Sequence, residues 1–360
     1  KGRQNGRSRR QPAGRARVIP WSWVPAAVLE RGGGRGQAGR MMSLSRTRAR
    51  ICGAALAALA AAPAAAEVVA LLPVKFLDTS GEAADQGAAH LARLGWRTAL
   101  CCRLGEDALS RMFAAELAAG GVDLSHAAVS PESVMTAAVV LVAADGQRSI
   151  LHRRGNNYDF CREDVDLNVI ASARALTVGS IYGCPRLDED GLEPILAHAK
   201  AHGVMTFADM ATDKRGRKLA GLKPLLPHVD WFMPSDAESR YLTDGMGCEE
   251  AARVFLDMGA RNVVIKLGER GAYACGEGFA GYVDAFDIDA VDTTGSGDAF
   301  CAGLIHSLLS GRSAEKALTF ACACGAYNAL FRGAAAATLN QHAVEDFIRK
   351  AERRSAGGRR

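Results

Sequence analysis

Short apolar runs and longer amphipathic stretches alternate along the chain from about residue 67 onward. Apolar runs of strand length occur at 98–102, 175–178, 204–208, 231–233 and 263–267. Segments with helical periodicity separate or follow them, at 83–94, 107–118, 192–202, 236–242, 249–258, 299–309, 314–328 and 342–353. This repeated strand–helix–strand order predicts an α/β fold in which helices cover both faces of a mostly parallel sheet.

One pair of strands departs from that alternation. Residues 137–142 and 148–153 are predicted to be two strands, and Ala144-Asp145-Gly146 between them is typical of a hairpin turn. We expect either a small antiparallel flap or the first strands of the main sheet.

The net charge of +5 conceals two parts of opposite charge. Residues 1–50 hold 13 of the 44 basic residues and one acidic residue, Glu30, whereas residues 51–360 hold 31 basic and 38 acidic residues. The mildly acidic body gives no general argument for nucleic-acid binding. The Gly- and Arg-rich composition of the first part predicts a disordered extension.

The segment 42–66 has the shape of a secretory signal, with arginines before an Ala-rich run that is short for a membrane-spanning helix. Export is therefore one hypothesis. An upstream region translated out of frame, or a fused fragment, explains the composition as well. The ten cysteines lack zinc-finger spacing, which favours free thiols in a reducing cytoplasm, the location that we expect.

The most informative segment is the nonapeptide D-T-T-G-S-G-D-A-F at residues 292–300. A β-rich run at 287–291 precedes it and a helical pattern follows, so the segment is expected to turn a strand into a helix. Unpaired amides and the helix dipole make such a turn an anion site. Asp298 would lie at its mouth, where a carboxylate can accept a proton from a hydroxyl.

Two common phosphate-binding loops are excluded: the chain has no G-x-x-x-x-G-K-[ST], and Phe300 stands where G-x-G-x-x-G needs its third glycine. The string D-T-T-G-[AS]-G-D-x-F resembles the signature of the ribokinase family, the PfkB-type carbohydrate kinases. The resemblance implies a three-layer ribokinase-like sandwich with a small β lid. It also implies ATP-dependent phosphorylation of a sugar or small polyol, with Asp298 as base and the amides of Gly295, Ser296 and Gly297 as anion hole.

Two further loops match nucleotide-binding motifs of the same family. Glu238 matches the glutamate of an N-x-x-E motif that organises Mg²⁺ and phosphate through water, while Ser235 stands where Asn is usual. Both residues also fit an ordinary helix N-terminus. In the turn at 265–271, Gly268 and Gly271 match T-L-G-x-x-G and are expected to form the turn first and contact nucleotide second. Lys266 replaces Thr there, either to pair with ATP phosphate or to end the strand in solvent.

The resemblance also implies a monovalent cation, K⁺, beside the anion hole, with Asp292, the Thr294 carbonyl and Gly333 in the matching loops. On the acceptor side, Gly81 and Asp85 lie in a segment that resembles the sugar-binding G-G-x-A-x-N motif. Asp85 stands in place of the usual Asn, and a carboxylate cannot donate the hydrogen bonds of an amide. Asn156, at the end of the second hairpin strand, is a further candidate for contact with substrate.

The front of the family's domain is hard to find in this chain. The resemblance covers residues 67–350, with residues 1–66 as an extension and 351–360 as a disordered basic tail. No convincing first strand with its sugar-binding Asp occurs in residues 1–66, and we interpret 68–77 as a remnant of the lid. A pseudokinase that binds sugar or nucleotide without turnover is therefore an alternative. A homodimer through the lid hairpin is plausible from the resemblance.

Overall fold

The computed structural model describes residues 68–72, 86–142, 148–333 and 339–357. Gly81, Asp85, the hairpin turn at 144–146 and the extension at 1–66 lie outside the described residues. The described strands are β1 (Val68–Leu72), β2 (Arg97–Leu100), β3 (Arg103–Leu104), β4 (Val122–Asp123), β5 (Ala128–Val129), β6 (Ala137–Val142), β7 (Arg148–Arg153), β8 (Ala175–Ile181), β9 (Met205–Met210), β10 (Trp231–Phe232), β11 (Asn262–Lys266), β12 (Ala272–Gly276) and β13 (Phe279–Val283).

The α-helices within the described ranges are α1 (Gln86–Arg93), α2 (Ala108–Ala119), α3 (Asn156–Asp159), α4 (Leu167–Ser172), α5 (Leu192–Ala201), α6 (Lys218–Leu222), α7 (Asp236–Leu242), α8 (Cys248–Asp257), α9 (Ser296–Leu309), α10 (Ala314–Asn328) and α11 (Gln341–Gly357). Shorter turns of 3₁₀ or π type occur at Arg162–Asp164, Leu187–Gly191, Leu226–His228 and Gly268–Arg270. Helix α11 extends to Gly357, so residues 351–357 are helical where we expected a disordered tail.

Nine of these strands form one sheet in the spatial order β13-β12-β11-β10-β9-β8-β1-β2-β4. From β11 to β4 every neighbouring pair is parallel, and β12 and β13 add an antiparallel edge. The hairpin β6–β7 is a separate two-stranded sheet with Ala137 paired to Arg153, so it is a flap rather than part of the main sheet. The predicted α/β class is confirmed.

The interpretation of 68–77 as a lid remnant is wrong for its first part. Strand β1 lies in the interior of the sheet, where Val69 pairs with Thr98 of β2 and with Ala175 of β8. Two parallel neighbours satisfy its backbone on both sides, which is the environment in which continuous apolar runs are found. The sheet therefore keeps an interior strand that we expected to be missing.

The run at 287–291 is also not a strand. The last strand before the nonapeptide is β13, and the chain from residue 284 to 290 has no regular secondary structure. The amides of Val291 and Asp292 both donate to the Ala329 carbonyl, so the end of α10 takes the place of a neighbouring strand.

Side chains on the two faces of the sheet enter separate cores. Phe207 of β9 packs with α1, α9 and α10, whereas its neighbour Ala208 packs with α5 and α8, as the twofold alternation of a strand requires. Helices α9 and α10 approach closely at Gly303, where a Cβ would lie 2.7 Å from Cys324 Sγ. This contact fixes α9, and with it the nonapeptide, against the sheet.

Candidate active site

The nonapeptide ends in a left-handed turn at the start of α9. Gly295 has φ 73°, a conformation that glycine adopts without strain. The amides of Gly295 and Gly297 have no hydrogen-bond partner among the described residues, while Ser296 N–H donates to the Thr293 carbonyl at 3.2 Å. Of the three amides predicted to form an anion hole, two are therefore available and one is engaged within the turn.

Asp298, in the first turn of α9, lines a small cavity at the carboxyl edge of the sheet. Thr177 and Gly179 from β8 and Asp209 from β9 form another wall of this cavity, and Gly87 of α1 borders it. Ligands of open parallel sheets bind at this edge.

Beneath the turn lies a buried ion pair between β11 and β9. Lys266 Nζ donates to the Asp209 carboxylate, and the two side chains are 14% and 11% exposed. Burial disfavours the charged amine, but the carboxylates of Asp209 and Glu238 outweigh it and raise the pKa of Lys266 above its usual range. A Cβ on Gly297 would lie 3.7 Å from Nζ. A protonated amine therefore lies beneath the turn formed by residues 295–297, which we call the anion turn.

Two effects shift the pKa of Asp209 in opposite directions. Burial raises the pKa of its carboxyl above the ordinary value, while the Lys266 ammonium lowers it. Its Oδ1 accepts from the Met210 amide at 2.8 Å, and Cys301 Sγ lies 3.4 Å from Oδ2. The sequence showed Lys266 as a departure from the family motif, but it did not indicate that Lys266 pairs with Asp209.

Ser235 and Glu238 form a capping box at the start of α7. Glu238 Oε2 accepts from Ser235 N (2.8 Å) and Ser235 Oγ (2.7 Å), and the Glu238 amide donates to Ser235 Oγ at 3.3 Å. These reciprocal contacts satisfy amides that the helix leaves unpaired. Glu238 Oε1 makes no hydrogen bond within the described residues, so one oxygen stays available for a further partner.

Gly268 and Gly271 both have positive φ, 61° and 87°. The turn closes through the Leu267 amide, which donates to the Gly271 carbonyl at 2.8 Å. A Cβ on Gly271 would lie 1.9 Å from the Val283 carbonyl oxygen of β13. The backbone conformation and the close contact at position 271 therefore require glycine, as expected for a residue that forms the turn.

Asp292, Thr294 and Gly333, the predicted cation loops, lie together. The Asp292 carboxylate accepts from Thr294 N (3.0 Å), Thr294 Oγ1 (2.7 Å) and Gly333 N (3.1 Å). The Thr294 carbonyl accepts from Asn328 Nδ2 at 2.9 Å. Protein hydrogen bonds therefore occupy these oxygens, and a cation would have to share the Thr294 carbonyl. Within the described ranges no group of three or more His, Cys, Asp or Glu side chains is arranged to hold a metal ion.

Of the predicted acceptor-side residues Gly81, Asp85 and Asn156, the structure describes Asn156. Asn156 is 3% exposed, and its amide is used on the backbone: Oδ1 accepts from Thr136 N at 2.8 Å and Nδ2 donates to the Arg103 carbonyl. It holds the base of the flap and has no free group for a substrate. Its neighbour Asn157 lines a second, larger cavity of about 180 Å³.

A nine-stranded, largely parallel sheet, with a glycine turn and a carboxylate at its carboxyl edge, defines an α/β protein whose ligands are expected at that edge. Residues 86–341 match the pfkB family carbohydrate kinase model. The chain belongs to this family and is a carbohydrate kinase. No helix in the described part of the chain combines the length and apolar character that crossing a membrane requires.

Among curated proteins, the chain is 26% identical to probable fructokinase-3 of Arabidopsis thaliana, over 78% of this chain and 85% of that protein. It is 26% identical to ribokinase of Haemophilus influenzae, over 75% of this chain and 87% of that protein. Among solved structures, a putative ribokinase II from E. coli in complex with ATP and Mg²⁺ superposes with a TM-score of 0.71 at 23% identity. It covers 79% of this chain and 99% of its own. Arabidopsis thaliana ribokinase with ribose and ATP gives 0.69 at the same identity and the same two coverages. The structural matches establish the ribokinase fold.

Proposed function

We propose that this chain transfers the γ-phosphoryl group of ATP to a hydroxyl of a sugar or related small polyol, with Asp298 as the general base. The observation that carries the proposal is the position of Asp298 on a cavity at the carboxyl edge, directly after a turn with two unpartnered amides. Relatives named as fructokinase and ribokinase support the reaction class.

In this mechanism Asp298 accepts the hydroxyl proton as the acceptor oxygen bonds to the γ-phosphorus. The bond from that phosphorus to the bridging oxygen breaks, and ADP leaves with the electron pair. The amides of Gly295 and Gly297 stabilise the negative charge of the transferred group, each worth about 3–4 kcal/mol when well aimed. Lys266 adds a positive charge below them and lowers the pKa of Asp209, which burial raises.

The residues at the start of α7 fit a divalent cation that is held through its bound water. Mg²⁺ retains much of its water and binds substrate phosphates, so it does not need an all-protein cage. Glu238 would hold metal-bound water through Oε1, while Oε2 continues to cap the helix. When bound, the metal neutralises phosphate charge.

The test measures ATP consumption over a panel of sugars for the wild type and for Asp298→Asn. Loss of the base is expected to lower kcat about 10²–10⁴-fold. Asp289→Asn, an exposed carboxylate upstream of the nonapeptide, is the control and is expected to retain full activity. Unchanged turnover in Asp298→Asn would reject the base assignment.

A pseudokinase is the second candidate, because Ser235 and Asp85 both stand where the family has Asn. Binding without turnover distinguishes it. If calorimetry detects ATP and sugar binding to the wild type but no ADP forms over the same panel, the pseudokinase replaces the kinase.

A further inference from the structure

The larger cavity lies between the base of the flap and the loops that follow β8 and β9. Arg154, Asn157 and Tyr158 contribute from the flap side. Tyr182 follows β8, and residues 211–217 follow β9. The proposed active site uses none of these residues, and the motifs that indicated a kinase did not point to them.

The same two strands border both cavities. Gly179 and Asp209 line the cavity that contains Asp298, and Tyr182 and Ala211 line the larger one. Because an extended chain spans at most about 3.6 Å per residue, these positions are at most about 7–11 Å apart. That separation is comparable to the length of a small sugar. A molecule with its reacting hydroxyl at Asp298 can therefore place its other end in the larger cavity.

The walls of the larger cavity carry four cationic side chains, Arg154, Lys214, Arg215 and Arg217. Two of them already have anionic or carbonyl partners: Arg215 pairs with Glu189 at 2.5 Å and Arg217 donates to the Asp188 carbonyl at 2.6 Å. Lys214 makes no hydrogen bond or ion pair within the described residues, and Arg154 contacts only the ring of Tyr158, 5.1 Å from its centroid.

The two carboxylates in the walls do not cancel this charge. Asp213 accepts from the amides of Arg215 (3.1 Å) and Lys218 (2.8 Å) and so serves to shape the loop. Asp188 accepts from two backbone amides, and burial raises the pKa of its carboxyl to about 7. Even with Asp188, Asp213 and Glu189 all ionised, the four basic side chains leave one net positive charge at the walls. The cavity therefore presents uncompensated positive charge.

The loop that carries Lys214 is held in a strained conformation. Tyr182 and Lys218 both have positive φ, 72° and 44°, although neither is glycine. The Tyr182 hydroxyl donates to the Lys218 carbonyl at 2.6 Å, which locks the two loops together. Such strain persists where the surrounding structure determines it, and it concentrates at ligand sites.

From the cavity, its charge and its position, we propose that the acceptor carries an anionic group, a carboxylate or a phosphate. Arg154 and Lys214 bind that group at the end of the sugar remote from the reacting hydroxyl. The inference rests on the proposed function and narrows its substrate to sugar acids or sugar phosphates.

The experiment compares kcat/KM for three matched acceptor sets: neutral sugars, the corresponding sugar acids and the corresponding sugar phosphates. We expect the wild type to prefer one of the anionic sets, and whichever is preferred identifies the group. Lys214→Ala and Arg154→Ala should each lower kcat/KM for that acceptor about 10- to 100-fold, mainly through KM, since each removes one hydrogen bond to a charged group. Lys214→Arg should restore most of the loss.

Lys223→Ala, an exposed lysine outside the cavity, should change nothing. A wild type that prefers neutral sugars, or a Lys214→Ala variant that raises KM for ATP rather than for the acceptor, would overturn the inference while leaving the kinase intact. If no acceptor is turned over, the proposed function fails. Calorimetric titration of the sugar acids and sugar phosphates then tests the anion site separately. Binding that Lys214→Ala weakens supports the anion site, and equal or absent binding overturns it.

Discussion

Replacing Lys266 with methionine tests the ion pair beneath the anion turn. The substitution keeps most of the length of the side chain and removes its charge. Asp209 would then be left with the Met210 amide and the Cys301 thiol as neighbours. Both members of the pair are largely buried, at 14% and 11% exposure, so water replaces the lost partner poorly.

Breaking a buried pair by removing one partner costs about 3–5 kcal/mol. Here the cost is limited because Asp209 can bind a proton once the ammonium is gone. Burial already raises the pKa of this carboxyl and Lys266 opposes that rise. We therefore expect a loss of about 3 kcal/mol in the free energy of unfolding at pH 7, within the stability of an ordinary domain.

The sign of the pH dependence follows from the same groups. In Lys266→Met the folded-state pKa of Asp209 lies above its unfolded value, so the folded state binds more protons. The contribution of Asp209 to the free energy of unfolding is greatest at low pH and is lost as pH rises through the folded-state pKa. The stability deficit relative to wild type should therefore grow as pH rises through that folded-state pKa.

Urea denaturation at several pH values measures this deficit. Lys316→Met, an exposed lysine on α10, is the matched control and should stay within about 0.5 kcal/mol of wild type. The double variant Lys266→Met/Asp209→Leu should recover most of the loss, since apolar replacement of a buried pair is often neutral. A deficit below 0.5 kcal/mol at pH 8, or one that does not change with pH, would refute the account of this pair.

Three other predictions concern stability. Gly271→Ala should lower the free energy of unfolding by more than about 3 kcal/mol in urea denaturation, because strain at positive φ adds to a clash with the β13 carbonyl. The control Gly278→Ala has a similar φ but open space around the added Cβ, so it should lose about 1 kcal/mol. Equal losses in the two variants would contradict the clash. Burial lowers the pKa of His306 to about 4, and its Nδ1 accepts from Trp96 Nε1 at 3.0 Å. The free energy of unfolding should therefore fall by about 2 kcal/mol as pH decreases from 6.5 to 4. Denaturation at a series of pH values measures this fall, and His306→Phe should reduce the dependence of stability on pH. Asp107 caps α2 through the amides of its first turn, so Asp107→Ala should lose about 2 kcal/mol, and an unchanged melting temperature would argue against the cap.

Local patterns were sufficient for several elements. The bounds predicted for β6, β7, α7 and α10 agree with the structure, because turn chemistry, helical period and caps act over a few residues. The Ser235 capping box was also readable as S-x-x-E. The edge strands β12 and β13 were missed, since β12 is buried and rich in Ala and Gly and shows no clear alternation.

Relations between distant segments required the folded chain. The apolar run of β1 looks the same in a lid and in a sheet, and its place between β2 and β8 depends on partners that are remote in sequence. Lys266 and Asp209 are 57 positions apart, and parallel strand order brings them together. Likewise, no local pattern joins Arg154 to Lys214. Short-range periodicity and turn chemistry define which elements form, whereas the pairing of strand ends defines which side chains share a site, because that pairing depends on the packing of the whole sheet.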